Sequence, residues 1–231
     1  MIPLDIMEEV LDNPVWYALN STNKKISAGD DQVKYFLADI SPFAGLKEIN
    51  KNNLVKLFKL LPARHTVAIE STVEIEIPEP WKQISILNVF QMVFQSPGKP
   101  IHPDQEFTPL TYEHVPQMLS LATLTNPGPF SKKTIEFGDY FGIFQGNDLV
   151  AMCGQRLQPD PYIEVSAVCT HPDHLGKGYA GKLIIHQVSR IMNKSGKPFL
   201  HVLTSNTRAI SLYEKLGFVT RKEMIITILQ K

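Results

Sequence analysis

Short apolar runs alternate with polar, turn-rich segments along the first 94 residues of the chain. The apolar runs at residues 33–40 and 65–69 are predicted as strands, because each is brief and bounded by turn-forming residues. Residues 51–61 carry leucine and phenylalanine at helical spacing and are predicted as a helix. The apolar positions of residues 79–94 fit both the helical and the strand period, and we expect a helix followed by a strand there. This order is that of an α/β unit, and we find no catalytic motif in it.

The second half of the chain has a clearer pattern of apolar positions. Its predicted strands are residues 107–110, 140–144, 149–156, 162–169, 199–203 and 218–229, the last as one or two strands. Its predicted helices are residues 111–124, 179–193 and 206–216. The Gln-Gly-Asn-Asp sequence at residues 145–148 has the composition of a tight turn, so the strands on either side of it are expected to form a hairpin.

A proline-rich segment separates these two halves. Residues 95–104 contain three prolines and one glycine and few apolar side chains. Proline is excluded from the interiors of helices and sheets, so this segment is the best candidate for a linker. We therefore expect an N-terminal α/β subdomain over residues 1–104 and a second domain over residues 105–231.

The amino-acid composition excludes some kinds of partner for this protein. Lysine plus arginine equals aspartate plus glutamate, 23 of each, so the net charge is near zero and nucleic acid or an anionic membrane is not an expected partner. The first ten residues are acidic rather than basic, and no apolar run reaches the roughly 18 residues that span a bilayer. We expect a cytoplasmic protein with no membrane partner.

The two cysteines and seven histidines give no sign of a metal site. Cys153 and Cys169 lie in apolar runs and are expected to be buried free thiols in a reducing compartment. The histidines, including His171 and His174, do not have the spacing of metal ligands, so no metal is expected.

The most informative segment is a glycine-containing turn between a strand and a helix. The strand ends near Thr170, and Gly176, Gly178 and Gly181 lead into an amphipathic helix, with Lys177 between them. Glycine lets the backbone approach a ligand, and the free N–H groups of a first helical turn attract anions. A phosphate-binding loop is one interpretation, and a tight strand-to-helix turn without a ligand is the other.

Two better-known phosphate loops do not fit this segment. Gly176, Gly178 and Gly181 match the dinucleotide fingerprint G-x-G-x-x-G, but that fold places an acidic residue roughly 20 positions later. The following strand at residues 199–203 has none, which argues against a nicotinamide-dependent oxidoreductase. The Gly-Lys-Ser/Thr ending of a P-loop is missing as well.

Residues 171–180 resemble the acyl-CoA loop of the GNAT superfamily of N-acetyltransferases, whose pattern is Gln/Arg-x-x-Gly-x-Gly/Ala. Gly178 and Ala180 match that pattern, whereas Leu175 stands where Gln or Arg is usual. A second motif, Asn-x-x-Ala-Ile-x-Leu-Tyr-x-x-x-Gly-Phe at residues 206–218, is similar to the signature that follows this loop in the family. The two motifs occur in the family's order and at its separation.

The resemblance implies a mixed, mostly antiparallel twisted sheet flanked by helices, in which two neighbouring strands splay apart. It implies acetyl-CoA as acyl donor, with the pantetheine arm paired to the exposed strand edge. By motif position, the residues expected to contact acetyl-CoA are Val168, Cys169, Thr170, Gly176, Lys177, Gly178, Tyr179, Ala180, Gly181 and Asn206.

Amine acylation needs a neutral nucleophile, whereas an alkylamine is charged at pH 7, so a general base is useful. Glu164 resembles the glutamate base of histone-type members, and its mostly apolar strand would raise its pKa; alternatively it faces solvent. His201 lies five residues before Asn206, where another branch of the family carries its glutamate, and its alternative is a core histidine. The sequence leaves open which of the two is the base.

Other steps of the reaction have candidates too. A backbone N–H around Val168 or Cys169 is the candidate to stabilise the oxyanion. Tyr213 resembles the family's general acid for the leaving thiolate, with simple packing under its helix as the alternative. Cys169 has no base adjacent in sequence, so direct attack in a ternary complex is expected rather than a ping-pong route.

These features predict an N-acetyltransferase that acylates an amine of a small molecule, peptide or protein. The alternative is a CoA-binding regulatory module that has lost catalysis. The N-terminal half is compatible with a degenerate GNAT-like half that packs against the catalytic domain and shapes the acceptor cleft. The sequence identifies neither the acceptor nor the oligomeric state.

Overall fold

The computed structural model describes residues 9–95 and 107–231. The predicted linker therefore lies, apart from Gln95, outside the described residues. The helices are α1 (Pro14–Asn20), α2 (Lys51–Leu60), α3 (Val115–Thr125), α4 (Tyr179–Asn193) and α5 (Thr207–Lys215). The strands are β1 (Ser27–Gly29), β2 (Val33–Phe36), β3 (Phe43–Leu46), β4 (Thr66–Ser71), β5 (Lys82–Phe94), β6 (Thr108–Pro109), β7 (Phe141–Gln145), β8 (Asp148–Gln155), β9 (Tyr162–Thr170), β10 (Lys197–Leu203) and β11 (Phe218–Gln230).

All of these strands belong to one mixed, mostly antiparallel sheet, which confirms the predicted fold class. Their order is β1-β2-β3-β4-β11-β5-β10-β9-β8-β7-β6. Only two neighbouring pairs within the described residues are parallel, β3 with β4 and β9 with β10. The hairpin expected around residues 145–148 is the antiparallel pair β7–β8.

One predicted element is wrong. Residues 79–94 were expected to form a helix and then a strand, but the structure has the single 13-residue strand β5. This strand pairs with β11 along its whole length, from Phe94 opposite Phe218 to Lys82 opposite Gln230. The long ladder overrides the helical spacing of Ile84 and Leu87, since strand formation depends on distant partners more than on local sequence.

The two halves of the chain are interleaved in the sheet. Strand β5 of the N-terminal half lies between β10 and β11 of the C-terminal half, and β4 pairs with the other edge of β11. On each side of the β5–β11 pair the arrangement is similar: a parallel pair (β3–β4 or β9–β10) adjoins one of the two central strands. The hydrogen-bond ladder is therefore continuous from one half to the other.

Helices cover both faces of the sheet. Successive residues of a strand point to opposite faces, and in β10 Phe199 packs in one apolar cluster and Leu200 in another. The Leu200 cluster contains Leu183 and Ile184 of α4 and Tyr213 of α5. The opposite face carries α1, in the Phe199 cluster, and α3, in a cluster with Cys169 of β9. None of the described helices combines the length and the apolar character that a membrane span requires.

Candidate functional site

The parallel strands β9 and β10 pair only where they begin. Their matched residues are Tyr162 with Lys197, Ile163 with Pro198 and Glu164 with Phe199. Beyond Glu164 the two strands no longer pair, although β9 continues to Thr170 and β10 to Leu203. The backbone edge of β9 that faces this gap is thus available to an extended ligand, which can bind by adding to the sheet.

A β-bulge distorts β9 beside the gap. In the β8–β9 ladder, Met152 lies opposite Cys169 and Gly154 lies opposite Ser166, so two residues of β9 face one of β8. One of the two is Ala167, whose φ of 51° is in the left-handed region although it is not glycine. Such a conformation is strained in a residue with a side chain, and bulges of this kind redirect backbone groups next to active sites.

The glycine loop lies at the end of β9 that faces the open part of the gap. Gly176 and Gly178 have φ values of 78° and 75°, the left-handed conformation that favours glycine. Helix α4 begins at Tyr179, and the residue before it, Gly178, offers no side-chain cap to the first turn. The first N–H groups of a helix have no partner within the helix, so this turn has the backbone geometry that the phosphate-loop interpretation requires. Lys177 Nζ lies 3.1 Å from His174 Nδ1 on the same loop.

The two candidate residues of the second motif, Asn206 and Tyr213, differ in their exposure to solvent. Asn206 is exposed and caps the helix, because its Oδ1 accepts a hydrogen bond from the Ala209 N–H at 3.1 Å. Tyr213 is buried, and the centre of its ring lies 6.0 Å from the centre of the Phe218 ring. Burial raises the pKa of the Tyr213 phenol far above its usual value, so the group keeps its proton at neutral pH.

Glu164 is a buried partner of an arginine. Its side chain is 1% exposed, and Arg156 holds it with two hydrogen bonds, Nε to Oε2 at 2.8 Å and Nη2 to Oε1 at 2.5 Å. Oε2 also accepts from the Leu157 N–H at 3.2 Å. Burial alone raises the pKa of this carboxyl, but Arg156 and His201 outweigh burial and lower it to about 2. The expected raised pKa is therefore wrong, and so is the solvent-facing alternative.

His201 lies between two carboxylates. Its Nδ1 is 2.9 Å from Glu164 Oε1 and its Nε2 is 2.7 Å from Glu70 Oε1. Gln91 Nε2 is also 3.1 Å from His201 Nε2. Burial alone lowers the pKa of this imidazole, but Glu70 and Glu164 outweigh burial and raise it to about 9. The two candidate bases are thus in direct contact, and His201 is charged at neutral pH.

Sequence reasoning missed two members of this cluster, Arg156 and Glu70. Arg156 follows β8, and its guanidinium lies 4.9 Å from the centre of the Phe43 ring as well as on Glu164. Glu70 comes from β4 of the N-terminal half, and its side chain is 1% exposed. A signal existed, because each is a charged residue at the end of a mostly apolar run, where a buried charge needs a partner.

Neither cysteine is suited to nucleophilic chemistry. Cys153 and Cys169 are free thiols and both are buried, as predicted. Burial raises the pKa of both thiols, that of Cys169 to about 12, so they stay protonated. In residues 9–95 and 107–231, no group of three or more His, Cys, Asp and Glu side chains is placed to hold a metal ion.

Comparison with known proteins places this geometry in context. The family model described as FR47-like protein matches residues 140–226. A crystal structure of an acetyltransferase assigned to the GNAT family, from Novosphingobium aromaticivorans, is 30% identical to the chain. It superposes with a TM-score of 0.89, over 96% of this chain and 98% of its own.

A GCN5-related N-acetyltransferase from Kribbella flavida is 13% identical and shares the fold. Its TM-score is 0.59, with 94% of this chain and 95% of its own covered. A comparison with curated proteins found no match.

Proposed function

The chain belongs to the GNAT superfamily of acyltransferases, and on that premise we propose that it transfers an acetyl group from acetyl-CoA to an amine acceptor. The observation that carries the proposal is the parallel β9–β10 pair that opens beyond Glu164. The bulge and the glycine loop border the same opening, so a strand-like donor and its phosphate groups would have adjoining sites.

The donor would lie along the free edge of β9. Main-chain groups of Val168, Cys169 and Thr170 would pair with the amides of the pantetheine arm. The pyrophosphate would bind at the start of α4, through the residues Gly176, Lys177, Gly178, Tyr179, Ala180 and Gly181. Asn206, already the cap of α5, would contact the pantetheine end with the part of its amide that the helix does not use.

The reaction would be a direct attack of the amine on the thioester carbonyl. As the C–N bond forms, negative charge develops on the carbonyl oxygen, and a backbone N–H of the Ala167 bulge, at Val168 or Cys169, would stabilise it. The C–S bond then breaks, and Tyr213 would donate its phenolic proton to the leaving thiolate. The amine loses one proton to the base, and release of that proton together with reprotonation of Tyr213 restores the enzyme, so the products are the amide and CoA thiol.

Between the two candidate bases, we propose that His201 accepts the proton and that Glu164 holds its ring. Glu164 already accepts hydrogen bonds from Arg156 on both oxygens, and a carboxyl with a pKa of about 2 has little affinity for a proton. His201 acts in its neutral form, in contact with Glu164 through Nδ1. A histidine oriented by a carboxylate is a common arrangement for a general base.

The N-terminal half would contribute to the same site. Helix α1 packs in one apolar cluster with Tyr162 and Phe199, the residues at the start of β9 and β10. The matching strand arrangements around the β5–β11 pair support the hypothesis that this half is a degenerate GNAT-like half that shapes the acceptor cleft.

A panel of primary amines, small molecules and peptides, incubated with acetyl-CoA tests the proposal. We expect amine-dependent release of CoA thiol and an acetylated product by mass spectrometry. The variant His201→Asn should lower kcat at least about 100-fold, the usual minimum for loss of a general base. His65→Asn, at the opposite end of β4 from Glu70, is the matched control and should retain activity. Binding of acetyl-CoA without acetylation of any amine would instead favour a CoA-binding regulatory module.

A further inference from the structure

Glu70 is a buried carboxylate of the N-terminal half in contact with the proposed base. Its Oε1 lies 2.7 Å from His201 Nε2, an ion-pair distance, and its side chain is 1% exposed. Apart from this contact, neither oxygen has a hydrogen-bond partner among the described residues. Burying a carboxylate without donors is costly, so the charge on His201 is what stabilises Glu70 there.

The Nε2 atom of His201 is the ring nitrogen that can lose its proton. Nδ1 faces Glu164, which holds that proton in place. Gln91 faces Nε2 with its amide nitrogen, because its Oε1 accepts from Arg221 Nη1 at 2.8 Å. That nitrogen donates one hydrogen to Leu11 O at 2.8 Å and has a second for Nε2. The neutral ring therefore also has a hydrogen-bond partner at Nε2, and Gln91 must give up this contact when Nε2 accepts a proton from the amine.

We infer that Glu70 is a positioning residue for the proposed reaction, holding His201 from the side opposite Glu164, so that the N-terminal half completes the catalytic site. The inference rests on the proposed function, in which His201 is the base. Glu70 acts through His201 by setting the pH at which Nε2 loses its proton, and so the pH above which the site can accept a proton from the amine.

The charges around the ring indicate the direction of this effect. Glu164 on β9 is offset by Arg156, whereas Glu70 on β4 has only His201 as an ion-pair partner among the described residues. Gln91 on β5 is neutral, and Arg221 behind it on β11 shares the Asp12 carboxylate with Lys222. With Glu70 replaced by a neutral group, the protonated ring loses one of the two anions in contact with it, so it should lose its proton at a lower pH.

Two measurements on Glu70→Gln test the inference. The first is the NMR titration of the His201 ring in the protein without acetyl-CoA, which does not depend on turnover. We expect the midpoint to fall by at least one pH unit, since a close carboxylate shifts a pKa by roughly 1–3 units. The second is the pH profile of kcat/KM for acetyl transfer, which should shift down by the same amount. The matched control Glu74→Gln removes an exposed carboxylate from the turn after β4 and should change neither midpoint.

Each outcome bears on the inference. An unchanged His201 midpoint in Glu70→Gln overturns it, and so does a lowered midpoint with an unchanged pH–rate profile, because the coupling would then not serve the reaction. Activity in either case leaves the proposed function intact. If Glu70→Gln does not fold, Glu70→Asp keeps the charge but draws it back by one methylene, and the midpoint of His201 should then lie below that of the wild type. An unshifted midpoint in Glu70→Asp overturns the inference.

Discussion

At the scale of single residues, the unusual feature is a set of four buried ionisable side chains whose charges balance. Arg156, Glu164, His201 and Glu70 form a continuous series of contacts, with two cations and two anions when the ring is protonated. Buried charges are tolerated when they are paired, and removal of one member leaves its neighbour uncompensated. The neutral form of the His201 ring is therefore the less stable one at pH 7. The form proposed for catalysis becomes the main one only at alkaline pH.

The pH dependence of the rate distinguishes the two candidate bases. With a weakly basic amine that stays neutral across the range, kcat/KM should rise with pH and level off above about 9, because only neutral His201 accepts a proton. If Glu164 were the base, its carboxylate would be ionised throughout and the profile would be flat from about pH 6 upward. Initial rates of CoA thiol release at a series of pH values decide between these profiles.

Sequence alone suggested Glu164 and His201 as candidates but gave no basis for their contact or for the role of Glu70. Strands β11 and β5 lie between β4 and β10, so a flat sheet would separate the backbones of Glu70 and His201 by about 14 Å across the strands. They are also offset along the strands, since Glu70 is level with Leu87 of β5 and His201 with Gln91. The observed contact depends on the three-dimensional arrangement of the assembled strands and on the reach of both side chains, and local sequence shows neither. The expected pKa of Glu164 was wrong for the same reason, since Arg156 approaches it only in the folded sheet.

At the scale of elements, regular periodicity predicted the helices of the second half and α2, but it missed α1 and wrongly placed a helix within residues 79–94. The range expected for α4 from its apolar face was residues 179–193, and the structure has Tyr179–Asn193. By contrast, nothing at Ala167 signals a left-handed residue inside a strand, since Gly or Asn is the usual occupant of that conformation. The bulge is held by the surrounding ladder and cannot be inferred from the local sequence.

The glycine loop can be tested with a matched pair of substitutions. Gly178 and Gly146 have similar positive φ values, 75° and 60°, and an added methyl group at either would meet no atom within 4 Å. Both Gly178→Ala and Gly146→Ala should cost about 1 kcal/mol of unfolding free energy through backbone strain. Only Gly178→Ala should weaken acetyl-CoA binding, by about tenfold or more, because its methyl group would stand where the pyrophosphate approaches the helix. Equal affinities in a calorimetric titration of the two variants would contradict the proposed phosphate site.

At the scale of the whole molecule, the sheet joins the two halves through a pair of central strands. Strand β5 belongs to the N-terminal half but completes the ladder beside β10, and β11 in turn completes the ladder beside β4. The sequence predicted two α/β halves on either side of a proline-rich segment, but local patterns carry no information on which strands become neighbours. Strand order depends on contacts between residues that are far apart in the chain, and the interleaving was visible only in the structure.

The most direct test of the account is to map where acetyl-CoA binds, using the backbone amide NMR signals of the labelled protein. We predict that addition of acetyl-CoA shifts the amides of residues 168–170 and 176–181, on the two sides of the opening between β9 and β10, and leaves those of β1 to β3 unchanged. The same titration with a nicotinamide dinucleotide should shift none of them. An absence of shifts at the β9 edge and the glycine loop, in a folded sample saturated with acetyl-CoA, would contradict the proposed donor site and the acetyl transfer that depends on it.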